Sequence, residues 1–462
     1  MARSIVAAIQ RIKAEVGHWL APESIREVCR AVGHTWRERV LDPVATVHLF
    51  LIQILHGNAA GAHVPRLGDV RCTGEAYLQA RARLPLTVLQ RLLRGVIDRV
   101  QDTISDEGRW HGHRTFLLDG SNASMPDTPE LQKEFGQPGN QKPGCGFPVV
   151  NLLALFHAAT GLLIHTVTSP LRSHDMSRVA QVHPELAAGD VVVGDRGVSS
   201  FAHLASLAIR QLYGLFRVHQ RQIVSFRPHR KTAKSKSRKR GKKQTCKSRK
   251  RRQTGLPTSR WLKRLGQHDQ LVEYGKPTKR PVWLTVEECD ALPATLVVRE
   301  LRYAIRERGC RTKVITLATT LLDPILYPAK DVMELYGQRW QIETNFRHLK
   351  QTLKMDVLRC KTVVGVQKEL TMYALVYNLV RLVMLEAAHR QNVAIDRISF
   401  VDAVRWLAET VSSDAPLQLR INPHRPGRAE PRVKKRRPKQ FDLMNQPRHV
   451  HRKRLLDKAN AA

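Results

Sequence analysis

A chain of 462 residues with 42% apolar side chains exceeds one ordinary domain and can bury real cores. Its 77 Lys and Arg stand against 40 Asp and Glu, for a net charge of +37. That excess attracts a polyanion, above all nucleic acid, and sets aside an enzyme of small neutral substrates.

Cys29, Cys72, Cys145, Cys246, Cys289, Cys310 and Cys360 are scattered with no Cys-x-x-Cys pair. This argues against structural zinc and fits reduced thiols in a cytosol. The apolar run from Ser4 to Ile9 is short and is broken by Gln10, Arg11 and Lys13, unlike a signal peptide. The expected place of work is therefore the cytoplasm.

Residues 1–108 read as a helical N-terminal domain. Ile5, Ile9, Ile12 and Val16 recur at helical spacing, and further helical patterns cover Val44 to Leu55 and Leu86 to Val100. This domain either binds DNA or simply supports its neighbour in the chain. Residues 109–220 turn to strands: Arg114 to Leu118, Val149 to His157, Leu162 to Thr168 with Gly161 in the turn, Asp190 to Val193, and Gly214 to Val218. Helices are expected at Ser177 to Leu186 and Ser199 to Leu212. The alternation predicts an α/β fold, a mixed sheet covered by helices.

Residues 221–325 form an expected basic and β-rich insertion. Its stretch 227–252 holds 15 Lys or Arg and no acid, and self-repulsion predicts disorder there until DNA is bound. Strands are expected at Val282 to Val286, Thr295 to Ile305 and Thr312 to Ala318, with a hairpin turn at Arg306 to Gly309. Residues 326–412 read as helices: one long helix from about Asp331 to Leu353, a second from Val363 to Arg390, and a third from Phe400 to Val411. Met372 to Ala388 carries Asn378, Arg381 and Glu386, so the second reads as buried in protein rather than membrane-spanning. Residues 413–462, with Lys434-Lys435-Arg436-Arg437, read as a basic, disordered tail.

Three segments carry chemistry. Leu118-Asp119-Gly120-Ser121 and Gly194-Asp195-Arg196-Gly197 each put a carboxylate where an apolar run ends and small residues begin. A buried strand thus delivers an acid to a sheet edge, where hard cations find oxygen ligands. In the third, Tyr336, Arg339, Glu343 and Lys350 are spaced by three, four and seven, which places them on one helical face. Glu343 can bind metal there while Arg339 and Lys350 grip phosphates. Taken singly, each Asp is more often a turn or cap residue, and Arg339 with Glu343 can be a simple helix ion pair.

The pattern Tyr-x-x-Arg-x-x-x-Glu-x-x-x-x-x-x-Lys at Tyr336 to Lys350 resembles the signature of the insertion-sequence-4 family of bacterial DDE transposases. The two aspartate segments resemble that family's aspartate motifs, and the long gap before Glu343 leaves room for the family's β insertion. The resemblance covers roughly residues 110–390. It implies an RNase H-like core with a mixed five-stranded sheet, and two Mg²⁺ or Mn²⁺ ions at Asp119, Asp195 and Glu343. It also implies phosphate contacts from Tyr336, Arg339 and Lys350, to which the neighbouring Arg196 and Arg347 are added as expected DNA-binding residues. The long basic stretch departs from the family pattern.

Two such ions, about 4 Å apart, clamp the attacking and leaving oxygens of an in-line phosphoryl displacement. The implied activity is cut-and-paste transposition: cleavage at terminal inverted repeats through a hairpin, then strand transfer into target double-stranded DNA, by a dimer. A hairpin demands a flipped base, and Trp261 or Trp283 could stack on it, although ordinary packing suits either better. Trp340 is expected in the core. His111 and His113 read as loop residues, and His174-Asp175 could support the site. Two other readings stay open: a metal-dependent nuclease without strand transfer, and a nucleic-acid-binding protein without catalysis.

Overall fold

A computed structural model describes residues 20–104, 108–222, 224–228, 255–305, 314–408, 417–423 and 443–460. The expected helix at Ile5 to Val16, nearly all of the basic stretch 227–252, and the expected turn at Arg306 to Gly309 lie outside them.

Among the described residues the leading helices are α1 (Pro22–Ala31), α2 (Pro43–Leu55), α3 (Val64–Leu67), α4 (Gly74–Arg83) and α5 (Leu86–Ile104). Then come β1 (Thr115–Ser124), α6 (Pro129–Phe135), β2 (Val149–His157) and β3 (Leu163–Pro170). Two short 3₁₀ turns, Asp175–Gln181 and His183–Glu185, precede β4 (Val191–Gly194), α7 (Phe201–Ile209) and β5 (Tyr213–Arg217). Next are β6 (Thr258–Gly266), β7 (Asp269–Gly275), α8 (Val286–Ala291), β8 (Thr295–Ala304) and β9 (Val314–Thr319). The chain closes with α9 (Ala329–Gln338), α10 (Trp340–Arg347), α11 (Val363–Arg390), α12 (Phe400–Ala408) and α13 (Arg448–Asn460).

The nine strands among the described residues belong to one sheet, in the order β3-β2-β1-β4-β5-β9-β8-β7-β6. The first five make the mixed half: β1 runs antiparallel to β2 and parallel to β4, and β4 parallel to β5. Val191-Val192-Val193-Gly194 is buried throughout, as a parallel strand covered on both faces must be. The β-rich stretch does not stand apart: Leu215–Arg217 of β5 pair antiparallel with Leu317–Thr319 of β9, so the later strands continue the same sheet.

Helices α1, α2 and α5 share one hydrophobic core with this sheet, while Val64 of α3 and Tyr77 of α4 pack with Leu49 of α2 in a separate small cluster. In α2 every residue but Ala45 is buried, the signature of an interior helix, and Asp42 caps it by accepting from Ala45 N at 2.7 Å. Helix α11 is long and apolar enough to cross a membrane, yet most of it is buried inside the protein. Its polar side chains grip the β2–β3 turn. Asn378 Nδ2 donates to Leu163 O and its Oδ1 accepts from Leu163 N, while Arg381 Nε donates to Thr160 O at 2.9 Å. Gly161, at φ +68°, is required there: a Cβ would stand 2.6 Å from Arg381 Cζ.

Several elements differ from the sequence reading. Strand β1 does not stop at Asp119, because β2 pairs with it as far as Ser124; only the pairing with β4 ends at Leu118. Val282 to Val286 is not a strand: Thr285 and Glu288 form a capping box that starts α8. Ser177 to Leu186 is 3₁₀ rather than α-helical. Strands β6 and β7 fall in the stretch expected to be β-rich, although neither was among its candidate strands. The single long helix is broken at Arg339, where i→i+3 bonds (Arg339 N to Tyr336 O, Ile342 N to Arg339 O) tighten the turn, and His348–Thr352 opens into a π turn. Part of the expected disordered tail, Arg448–Asn460, is helical.

Candidate active site

The register of two parallel strands builds the site. Leu118 of β1 lies beside Gly194 of β4, so the next residues, Asp119 and Asp195, emerge as neighbours. Asp119 Oδ1 accepts from Gly120 N at 2.8 Å, and Asp195 Oδ1 from Gly197 N at 2.5 Å. The glycines thus turn backbone donors onto both carboxylates. Burial pushes the Asp119 carboxyl up to about 6; the Gly120 amide and Arg339 oppose this, and the nearby negative charges of Asp195 and Asp175 add to it.

The broken helix brings the third acid. Arg339, at the break, points Nη1 to Asp119 Oδ2 at 3.5 Å and Nη2 to Glu343 Oε1 at 3.8 Å, so its guanidinium stands between these two carboxylates. The arginine side chain is 11% exposed, and its Nε is buried with no hydrogen-bond partner among the described residues. Its Cζ lies 4.9 Å from the Trp340 ring centroid and 5.9 Å from that of Tyr336. Trp340 is exposed, not in the core as expected, because the break turns it outward beside the site.

The remaining predicted site residues separate into two groups. Tyr336 is buried against Arg339. Burial raises its phenol pKa; Arg339 and Arg217 oppose the rise and Asp195 adds to it. Lys350, in the π turn, reaches Asn122 Oδ1 of β1 at 3.4 Å. Arg196 and Arg347 are exposed; Arg196 donates to Gln220 Oε1 at 3.1 Å and Arg347 to Thr344 Oγ1 at 2.8 Å. The two loop histidines are engaged elsewhere: His111 Nε2 lies 2.9 Å from Asp331 Oδ2, and His113 Nε2 2.8 Å from Tyr327 OH. Trp283 packs against the core and Trp261 is partly buried in β6. Sequence reasoning missed Asn122 and Arg217, and left Asp175 undecided.

Among the described residues, no three His, Cys, Asp or Glu side chains are grouped closely enough to hold an ion as they stand. The chemistry of the donors nevertheless fits one. Asp119, Asp195 and Asp175 repel one another, and Arg339 is the cation set against Asp119 and Glu343. Uncompensated hard-oxygen charge of this kind suits Mg²⁺ or Mn²⁺.

Two acids side by side where the pairing of β1 with β4 ends, a third on a following helix and exposed cations nearby fit a nucleic-acid-processing enzyme. The transposase DDE domain pattern matches residues 110–379, more than half of the chain, and the chain belongs to that family. Its similarity extends to the transposase InsG of insertion sequence element IS4 from Escherichia coli K12, 24% identical over 79% of this chain and 76% of that protein. The putative transposase InsZ of the same organism is 30% identical over 28% of this chain and 41% of its own length. Among solved structures, a piggyBac transposase synaptic complex with hairpin DNA aligns over 85% of this chain and 78% of that one, at 10% identity and a TM-score of 0.41. The chain is thus a DDE transposase of the insertion-sequence-4 type.

Proposed function

We propose that this transposase cuts the ends of its own element and joins the freed 3′ ends to target DNA. The core is read as RNase H-like, and the catalytic acids as Asp119, Asp195 and Glu343. The observation that carries the reading is the pair Asp119 and Asp195 side by side on parallel strands, tied through Arg339 to Glu343. Bound to these three carboxylates, two Mg²⁺ or Mn²⁺ ions would supply an activated oxygen nucleophile and charge for the leaving 3′ oxygen.

The protein's own groups supply positioning. The Gly120 and Gly197 amides fix the two aspartates. Glu343, more than half exposed, keeps the freedom to turn toward them. Arg339 exchanges its long carboxylate contacts for a bidentate grip on a phosphate, and its partnerless Nε gains an acceptor. Lys350, Arg196 and Arg347 add phosphate contacts at the rim, and Tyr336 backs Arg339. Work on both element ends calls for a dimer on DNA in a bacterial cytoplasm, and the hairpin step rests on the signature at Tyr336 to Lys350.

The test is incubation of the protein with Mg²⁺ and labelled DNA bearing the element's terminal inverted repeats, wild type against Glu343→Ala. Ends cut and joined to target by the wild type alone are the expected result. Cutting without joining would leave a nuclease. Binding without cutting by either protein would refute the catalytic reading.

A further inference from the structure

Asp175 stands outside the three acids Asp119, Asp195 and Glu343. It opens the 3₁₀ turn that comes after β3, where an Asp ordinarily serves to cap the turn. Here His174 does that work, its Nδ1 lying 3.2 Å from Met176 N. Among the described residues the Asp175 carboxylate makes no ion pair.

The fold holds it over the catalytic strand. Asn151 Nδ2 donates to Leu171 O at 3.0 Å and to Ser173 O at 3.1 Å, tying the segment before Asp175 to β2. Asn151 itself pairs with Asn122 of β1, three residues beyond Asp119. The Asp175 carboxylate then fills the space that position 120 leaves open: a Cβ on Gly120 would stand 2.8 Å from Asp175 Cγ and overlap its Oδ2. Gly120 is therefore the seat of a fourth acid, beyond its service to Asp119.

The charges agree with that placement. Burial raises the pKa of Asp175; His174 opposes the rise and Asp195 adds to it, and Asp175 in turn helps raise that of Asp119. Removing a carboxylate from water beside two others costs free energy unless a cation joins them. The same centre holds the buried Arg339 Nε, which has no acceptor among the described residues.

We infer that Asp175 is a fourth carboxylate of the catalytic centre, seated by Gly120, that strengthens the hold on the divalent cations assigned to Asp119, Asp195 and Glu343. The inference rests on the function proposed above. It makes Asp175 a cation-positioning residue with no proton-transfer role.

The probe is Mn²⁺ alone, titrated calorimetrically into the full chain, with Mg²⁺ dependence of end cleavage as a second readout. Asp175→Asn keeps the shape and removes the charge. It is expected to weaken Mn²⁺ binding by roughly tenfold or more and to raise the Mg²⁺ needed for half-maximal cleavage. Gly120→Ala keeps every charge and displaces the Asp175 carboxylate; it should weaken Mn²⁺ similarly, and the double variant should be no weaker than either single one. Gly120→Ala decides the matter if Asp175→Asn melts early. Wild-type Mn²⁺ affinity in Asp175→Asn, or additive losses in the double variant, would overturn the inference. Asp119→Asn separates the two readings. If it cleaves and binds Mn²⁺ normally, the catalytic assignment itself falls; if it is inert while Asp175→Asn behaves as wild type, only the fourth acid falls.

Discussion

Replacing Asp119 by Asn should make the metal-free protein more stable. The Asp119 carboxyl is raised from 3.8 to about 6, chiefly by burial. A shift of that size corresponds to about 3 kcal/mol of preference for the protonated form, at 1.36 kcal/mol per unit. Its direction sets the pH window. The folded state holds the proton more tightly than the unfolded one, so ionised Asp119 destabilises the fold as pH rises from 3.8 toward 6. The full cost is present above 6 and absent below 3.8. Arg339 at 3.5 Å is already counted in the raised value, and the side chain is a quarter exposed, so about 1–3 kcal/mol is the expected gain. Thermal melts with chelator from pH 4 to pH 8 measure it. Asp119→Asn should melt above the wild type at pH 7.5, with the advantage fading toward pH 4. Added Mn²⁺ should stabilise the wild type and not the variant. A variant that melts no higher at pH 7.5, or whose advantage ignores pH, would refute the reasoning.

Other expectations concern the scaffold and the DNA surface. Asp269→Asn should cost about 3–5 kcal/mol in urea unfolding, because it strips the carboxylate from Arg299, which is fully buried and also donates to Tyr327 O at 2.7 Å. Gly161→Ala should lower the stability read from urea unfolding by about 2–4 kcal/mol, since φ +68° and the Arg381 guanidinium both exclude a Cβ. Arg196→Ala and Arg347→Ala should leave melting unchanged and weaken DNA binding, each reducing the salt slope of log K by about one.

Strong local periodicity made much of the fold legible. The strand Val149 to His157 and the helix Val363 to Arg390 are read to the residue, since both are dominated by apolar side chains that the core demands. Strands β6 and β7 were hidden for the opposite reason. Arg260, Lys263 and Arg264 cover an exposed face, and register shifts between Trp261 and Lys263 and between Arg264 and Gly266 spoil the period of two. In the site, Asp119, Asp195 and Glu343 were visible because each sits in a short motif. The break at Arg339 was not, because the turn is tightened at one residue inside an otherwise helical pattern. It turned Trp340 outward, whereas Tyr336 is buried beside Arg339. Asp175 could not be placed from spacing: its relation to Gly120 arises only when the β3 turn folds back over β1.

The pairing of β5 with β9 has a further consequence. The chain leaves the mixed half of the sheet after Arg217 and returns beside the same strand, Leu215 facing Thr319. Everything between begins and ends beside one strand, and lengthening a flexible connection costs only about 0.6 kcal/mol per doubling. The connections of this excursion can therefore change length without moving the register that sets Asp119 beside Asp195, whereas β6, β7 and β8 are held in place by the sheet they extend through β9.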